Sequence, residues 1–339
     1  MKNTSRPILV LVFAAMALLG YAGEACASWV WSPDLGKWMN PKKASKDTPE
    51  DQFNWAMSFY ESKDFDRALE EFDKLPAFFP NSRLSAEAVY YKGLCFEEKE
   101  EYAKAADAYQ RLIDSYPYSD RIKDAVRREF EIAGKFASGD KMKVLGVPVL
   151  DGKQKALEIY QHIVKNAPFG SYGPEAQFKI GEVHKSMGDY EEARKAFQAV
   201  IDEYPNSELV TKAKYQIAYS AMLASRHLQY NDQLTEKAIQ EFEGFKQTFP
   251  EDAQAVEADE SIKLLRAKKA QETLSVAEFY EKRDKVASAK VYYQEVISRF
   301  PETPAAAEAQ KRIERFTGQE KPAQPSAEPE AKPRRFLFW

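Results

Sequence analysis

Small and aromatic residues recur along this chain in a frame of about 34 positions. Charged residues separate them, and each frame closes at a proline. With Pro80 at the close, Ala56, Phe59, Ala68 and Phe72 occupy four fixed slots. With Pro117 the same slots hold Gly93, Phe96, Ala105 and Tyr109. With Pro205 they hold Gly181, His184, Ala193 and Phe197, and with Pro301 they hold Ala277, Tyr280, Ala289 and Tyr293. The pattern predicts two antiparallel helices per frame. The small slots let the two backbones approach, and the aromatic slots fill the space beside that contact. Proline then ends the second helix, because it lacks an N–H and disfavours a helical residue before it. One such pair cannot bury its apolar face, so the pairs are expected to stack.

This small-x-x-aromatic, Ala-x-x-x-aromatic, Pro arrangement is that of the tetratricopeptide repeat. The expected fold is therefore an all-α helical solenoid of about six helix pairs over residues 49–316. The closing prolines are unevenly spaced, at 80, 117, 168, 205, 250 and 301. The pair closing at Pro168 keeps Ala156 and Tyr160 but carries an insertion from Ser138 to Lys153. The pair closing at Pro250 keeps Ala238 and Phe242, with a polar insertion expected near Ser225 to Thr235. Ala253 to about Arg283 has no break and reads as one long helix or two abutting ones. A short capping helix is expected at about Pro304 to Phe316.

The ends depart from the repeat. Lys2 and Arg6 precede an apolar run from Ile8 to Leu19, too short to span a bilayer and typical of a signal-peptide core, so residues 1–27 read as an export signal. Ala25-Cys26-Ala27 fits cleavage after small-x-small, which would release a soluble chain. In the alternative, Cys26 is a lipidated N-terminus. Residues 28–48 hold Trp29, Trp31 and Trp38 around a Pro33-Asp34-Leu35-Gly36 turn, and read as an aromatic hairpin with a linker. That hairpin either caps the first helix pair or recognises a partner. Residues 317–339 are expected to be a disordered tail rich in Pro, Ala and Glu that ends in Phe336, Leu337, Phe338 and Trp339. Those aromatics either dock to a partner or fold back onto the solenoid.

Composition narrows the function. A net charge of −4 offers no basic surface for nucleic acid, so no nucleic-acid partner is expected. Cys95 is expected to be a buried free thiol. His162, His184 and His227 show no metal-ligand spacing, and no phosphate-cradling glycine loop is present. No catalytic, cofactor or metal site emerges, so an enzyme would need residues brought together only by folding. A protein-binding groove is expected instead, on the exposed positions of the first helix of each pair. It would comprise Phe53, Met57, Tyr60, Tyr90, Leu94, Glu97 and Phe178. The competing reading makes Phe53, Met57, Tyr90 and Leu94 contacts between neighbouring repeats.

The stretch from Leu274 to Tyr280, with Arg283, Ala287, Ala289 and Val296 to Pro304, resembles the last repeat of the BamD family. Ala167-Pro168-Phe169-Gly170-Ser171-Tyr172-Gly173-Pro174 resembles a repeat boundary of the same family. The resemblance covers about 150–316. It implies a periplasmic scaffold, attached to the outer membrane, that helps to insert β-barrel proteins. Its partners would be the core subunit of the barrel-assembly machinery and unfolded outer-membrane proteins. Tyr280 and Arg283 would face the core subunit, and Phe169 to Tyr172 the substrate. The other reading is a periplasmic scaffold for cell-wall or cell-division proteins. The extra N-terminal repeats, the Trp-rich hairpin and the aromatic tail depart from the family pattern.

Overall fold

The structure, a computed structural model, describes residues 30–32, 37–39, 45–139, 142–144, 147–150, 152–227 and 232–319. The expected signal peptide with Cys26, and the stretch holding Phe336, Phe338 and Trp339, lie outside the described residues. So do Trp29 and the side chain of His227. The chain divides into two compact units, residues 1–187 and 188–339.

Unit 1 opens with an antiparallel hairpin, β1 (Val30–Ser32) and β2 (Lys37–Met39), in which Trp31 pairs with Trp38. Seven helices follow: α1 (Pro49–Glu61), α2 (Phe65–Phe78), α3 (Arg83–Glu98), α4 (Tyr102–Ser115), α5 (Ile122–Ala137), α6 (Gly152–Asn166) and α7 (Gly173–Met187). Each packs against the next in sequence, and α1 also meets α3 and α4 meets α6. The insertion between α5 and α6 forms a second hairpin, β3 (Met142–Val144) and β4 (Val147–Leu150).

Unit 2 holds α8 (Tyr190–Glu203), α9 (Leu209–His227), α10 (Asp232–Thr248), α11 (Ala253–Glu281), α12 (Val286–Arg299) and α13 (Pro304–Gln319). From α8 onward each again packs against the next. The unbroken stretch after Ala253 is one helix of 29 residues. Its first half, Ala255 to Leu265, shares a core with α9 and α10. Its second half, Ala270 to Ala277, shares another with α12 and α13. One helix thus serves two layers.

Two boundaries differ from expectation. Ser225 and Thr235, expected in a polar insertion, are fully buried helical residues of α9 and α10. The Ser225 hydroxyl donates to the Met222 carbonyl oxygen at 2.8 Å, which satisfies it inside the helix. Thr317 to Gln319, expected in the tail, continue α13, since one glycine near a helix end costs only about 1 kcal/mol.

Sequence explains the joints. Each of the six closing prolines stands two residues beyond the end of a second helix. The residue between has left the helical region, as at Phe79 (φ −127°, ψ 52°) and Tyr204 (φ −128°, ψ 54°), where the proline ring disfavours a helical predecessor. The tight turn inside a pair uses a left-handed residue: Lys63, Glu100, Gly188 or Asp284. At Glu100 the amide donates to the Glu97 carbonyl and the next amide to the Phe96 carbonyl, a Schellman cap.

The frame's small and aromatic slots are where the backbones close. Ala56, Ala68 and Phe72 are fully buried, as are Ala105, Tyr109, Ala277, Ala289 and Tyr293. The first aromatic slot is only half-buried, at Phe59, Phe96, His184 and Tyr280.

Candidate protein-binding surface

The expected groove is largely filled by contacts between neighbouring repeats. Phe53 of α1 lies 5.8 Å from Phe72 and 5.7 Å from Tyr91 of α3, and Tyr60 lies 5.2 Å from Tyr91. Met57 packs in the same cluster. Leu94 is half-buried. Tyr90 and Phe178 are only 4% and 8% exposed, so neither offers a free face. This corrects their placement on an open groove: burial removes both side chains from water, and for Tyr90 the covering groups, Arg121, Asp124 and Arg128, come from the next repeat.

Between α3 and α5 the face is closed by a polar ladder. Arg121 Nε donates to both carboxylate oxygens of Glu87, at 3.0 and 2.9 Å, and its guanidinium lies 4.9 Å from the Tyr90 ring centroid. The Tyr90 hydroxyl donates to Asp124. Arg128 reaches Tyr90, Asp124 and both oxygens of Glu97, the latter at 3.1 and 3.2 Å. Glu97 also accepts from the hydroxyl of buried Tyr109. Burial pushes the Asp124 carboxyl up, but hydrogen bonds from Tyr90, Arg127 and Arg128 outweigh it and hold it at about 2. Glu97 is therefore a structural partner of Tyr109 and Arg128. Glu87 to Arg121 and Tyr90 to Asp124 both span 34 positions. Complementary groups one repeat length apart were the signal by which sequence reasoning could have found Arg121 and Asp124.

A second cluster joins α4, α5 and α6. Glu129 is fully buried, and its Oε2 lies 3.4 Å from His162 Nδ1. His162 Nε2 lies 3.4 Å from Asp114 Oδ1. Glu129 Oε1 has no partner. Burial pushes the Glu129 carboxyl up to about 7, against the pull of His162. His162 is raised: burial disfavours its charge, and the hydrogen bond and charge of Glu129 outweigh that. Sequence spacing does not reveal this cluster, because three helices supply it. Among the described residues no group of His, Cys, Asp and Glu has a metal-binding arrangement, and no helix is long and apolar enough to cross a membrane.

What remains open lies at the turns. Phe169, just after Pro168, is 98% exposed, and Tyr118, just after Pro117, is 99% exposed. The helix ends that carry these turns are tied together, with Asn166 Nδ2 donating to Asp114 Oδ1 at 3.3 Å. Tyr172 sits behind Phe169, half-buried, 5.1 Å from Phe130. In unit 2, Tyr280 stacks on Tyr292 at 5.4 Å. Arg283 lies 3.6 Å from the ring centroid of exposed Phe279. Sequence reasoning named Phe169, Tyr280 and Arg283 and missed Tyr118 and Phe279, which stand outside the frame's slots.

Stacked helix pairs with small residues at their crossings and a proline closing each pair define a tetratricopeptide protein. Residues 53–120 match the tetratricopeptide repeat family, and residues 153–319 match the YfiO family, described as outer membrane lipoproteins. These matches make the chain similar to BamD-like tetratricopeptide proteins, families that bind other proteins. No curated protein matches it. Among solved structures, a MamA protein is 16% identical, covering 61% of this chain and 94% of its own, with a TM-score of 0.32. YrrB, described as having an unusual peptide-binding site, is 19% identical over 65% of this chain and 94% of its own, with a TM-score of 0.31. A tetratricopeptide repeat protein from Parabacteroides merdae is 13% identical over 78% and 97%, with a TM-score of 0.33.

Proposed function

We propose that this chain is a non-enzymatic periplasmic scaffold of the machinery that assembles β-barrel proteins in the outer membrane. The match of residues 153–319 to an outer membrane lipoprotein family carries this reading. In it, the unit 2 turn bearing Phe279, Tyr280 and Arg283 meets the core insertase subunit. The exposed turns bearing Tyr118 and Phe169, with Tyr172 behind, meet unfolded barrel chains. Two bare aromatic rings on adjacent turns suit aromatic-rich extended segments, because apolar groups held in water favour contact. The chain reaches the outer membrane either as a soluble exported protein or through lipidated Cys26.

Depletion of the protein tests the reading, with mature barrel proteins in the outer membrane as the readout. Their loss is the expected result. Unchanged barrel proteins with altered septation or wall composition would overturn it in favour of a cell-wall or division scaffold. A Tyr118→Ser, Phe169→Ser double variant is expected to keep its melting temperature and lose capture of unfolded barrel chains.

A further inference from the structure

The segment Arg334–Trp339 is the most apolar stretch that the proposed function leaves unused, and it lies beyond the residues matched to the lipoprotein family. Unit 2 contains a groove suited to it. Lys290, Val291, Gln294, Glu295 and Ser298 form one face of α12, and Ile313 of α13 closes the other side. The space, open to solvent along the helix pair, is about 520 Å3. Val291 and Ile313 are its apolar lining among four polar or charged residues, and Val291 is 65% exposed although the core residues Tyr293 and Val296 on the same helix are fully buried. Ile313 packs on that core from α13.

We infer that residues 334–339 of this same chain dock in the α12–α13 groove. Three observations select this occupant. The groove wall at Ile313 stands only six residues before Gln319, where α13 ends and the stretch leading to Arg334 begins. Residues 320–333 contain four prolines and reach at most roughly 40 Å if extended at about 3.1 Å per residue. That reach spans the groove easily and holds the segment near it at an effective concentration on the order of millimolar, so weak contacts suffice. An extended chain also puts Phe336 and Phe338 on one side, roughly 6–7 Å apart, a spacing that lets both rings enter one groove. Arg334 and Arg335 then bring positive charge to a groove lined by Glu295, whose carboxylate Arg299 already holds at 2.9 Å.

The test places the photo-crosslinker benzoylphenylalanine at position 338 of the full chain. A mixture of 15N-labelled and unlabelled chains identifies which chain each crosslink joins. Crosslinks within one chain to residues 290–298 or 313 are expected, with a yield independent of protein concentration. Val291→Asp, at an exposed position that leaves the core intact, is expected to lower that yield at least tenfold, and Phe336→Ala to lower it as well. Crosslinks that join two chains, that fall elsewhere, or that survive Val291→Asp would overturn the inference. So would the absence of crosslinks. Since barrel-protein levels do not enter this readout, its failure is distinct from failure of the proposed function.

Discussion

Gly93 lies under the ring of Tyr109: a Cβ built on Gly93 would come 2.3 Å from Tyr109 Cε1 and 2.5 Å from Cζ. Tyr109 is fully buried, and its hydroxyl is held by Glu97. The ring therefore cannot swing aside without breaking that bond. Gly93→Ala would gain about 1 kcal/mol of helix propensity. Overpacking costs about 1–3 kcal/mol and is expected to win. Urea denaturation should show a lower midpoint for Gly93→Ala. A midpoint equal to or above that of the parent would mean that the ring relaxes freely.

The buried Glu129 and its neighbour His162 make stability depend on pH. Both groups hold their proton to higher pH folded than unfolded. The folded chain therefore binds more protons than the unfolded one between about pH 4.5 and 7, and stability falls as pH rises through that window. Asp114, Lys155 and Asp107 border the cluster, with Lys155 Nζ 2.8 Å from Asp107 Oδ1. Melting temperatures by circular dichroism should decline from pH 5 to pH 8. Glu129→Gln, uncharged at every pH, should flatten most of that decline. A slope unchanged in Glu129→Gln would assign the effect elsewhere.

At the acid end the sign reverses. The Asp124 carboxyl, held at about 2, contributes stability above its unfolded value near 3.8. That contribution disappears as pH falls from about 4 to about 2. Asp124→Asn should be destabilised at pH 6 and converge on the parent chain near pH 2, as measured by chemical denaturation at both values.

Lys63, Glu100 and Asp284 occupy a left-handed conformation that Gly188 adopts at no steric cost. A side chain there costs roughly 1–2 kcal/mol. Part of the gain from removing it is offset by the greater freedom of glycine in the unfolded chain. Lys63→Gly is expected to stabilise by about 0.5–1 kcal/mol, read as a higher melting temperature. A lower one would show that Lys63 contributes through contacts of its own.

Cys95 is fully buried, and burial pushes its thiol up to about 12. Only the thiolate attacks an alkylating reagent. Iodoacetamide at pH 8 should leave Cys95 unmodified in the folded chain and label it in urea. Rapid labelling without denaturant would place the thiol at an accessible surface.

The backbone plan was written in local signals. Small and aromatic slots, together with the closing prolines, mark the first and second helices and the capping helix, and the unbroken stretch after Ala253 left open one long helix or two abutting ones. The aromatic hairpin followed from turn residues between alternating tryptophans. Local polarity misled at Ser225 and Thr235, where helix burial and a hydrogen bond to backbone outweigh side-chain character. The candidate site was less legible. Phe169, Tyr280 and Arg283 were named only through the family resemblance; the structure puts Phe169 at a repeat boundary and Tyr280 and Arg283 at the turn between α11 and α12.

Sequence by itself determined where the proline-closed helices stop and which small residues lie at their crossings, because proline sterics and side-chain size act over a few residues. Tertiary structure alone decided which face stays open. Tyr90 and Glu97 look like groove residues on an isolated helix, and become a sealed ladder once Arg121, Asp124 and Arg128 arrive from the next repeat. Whether Glu129 meets His162 and Asp114, or Tyr118 and Phe169 stand bare, depends on packing between separate helices.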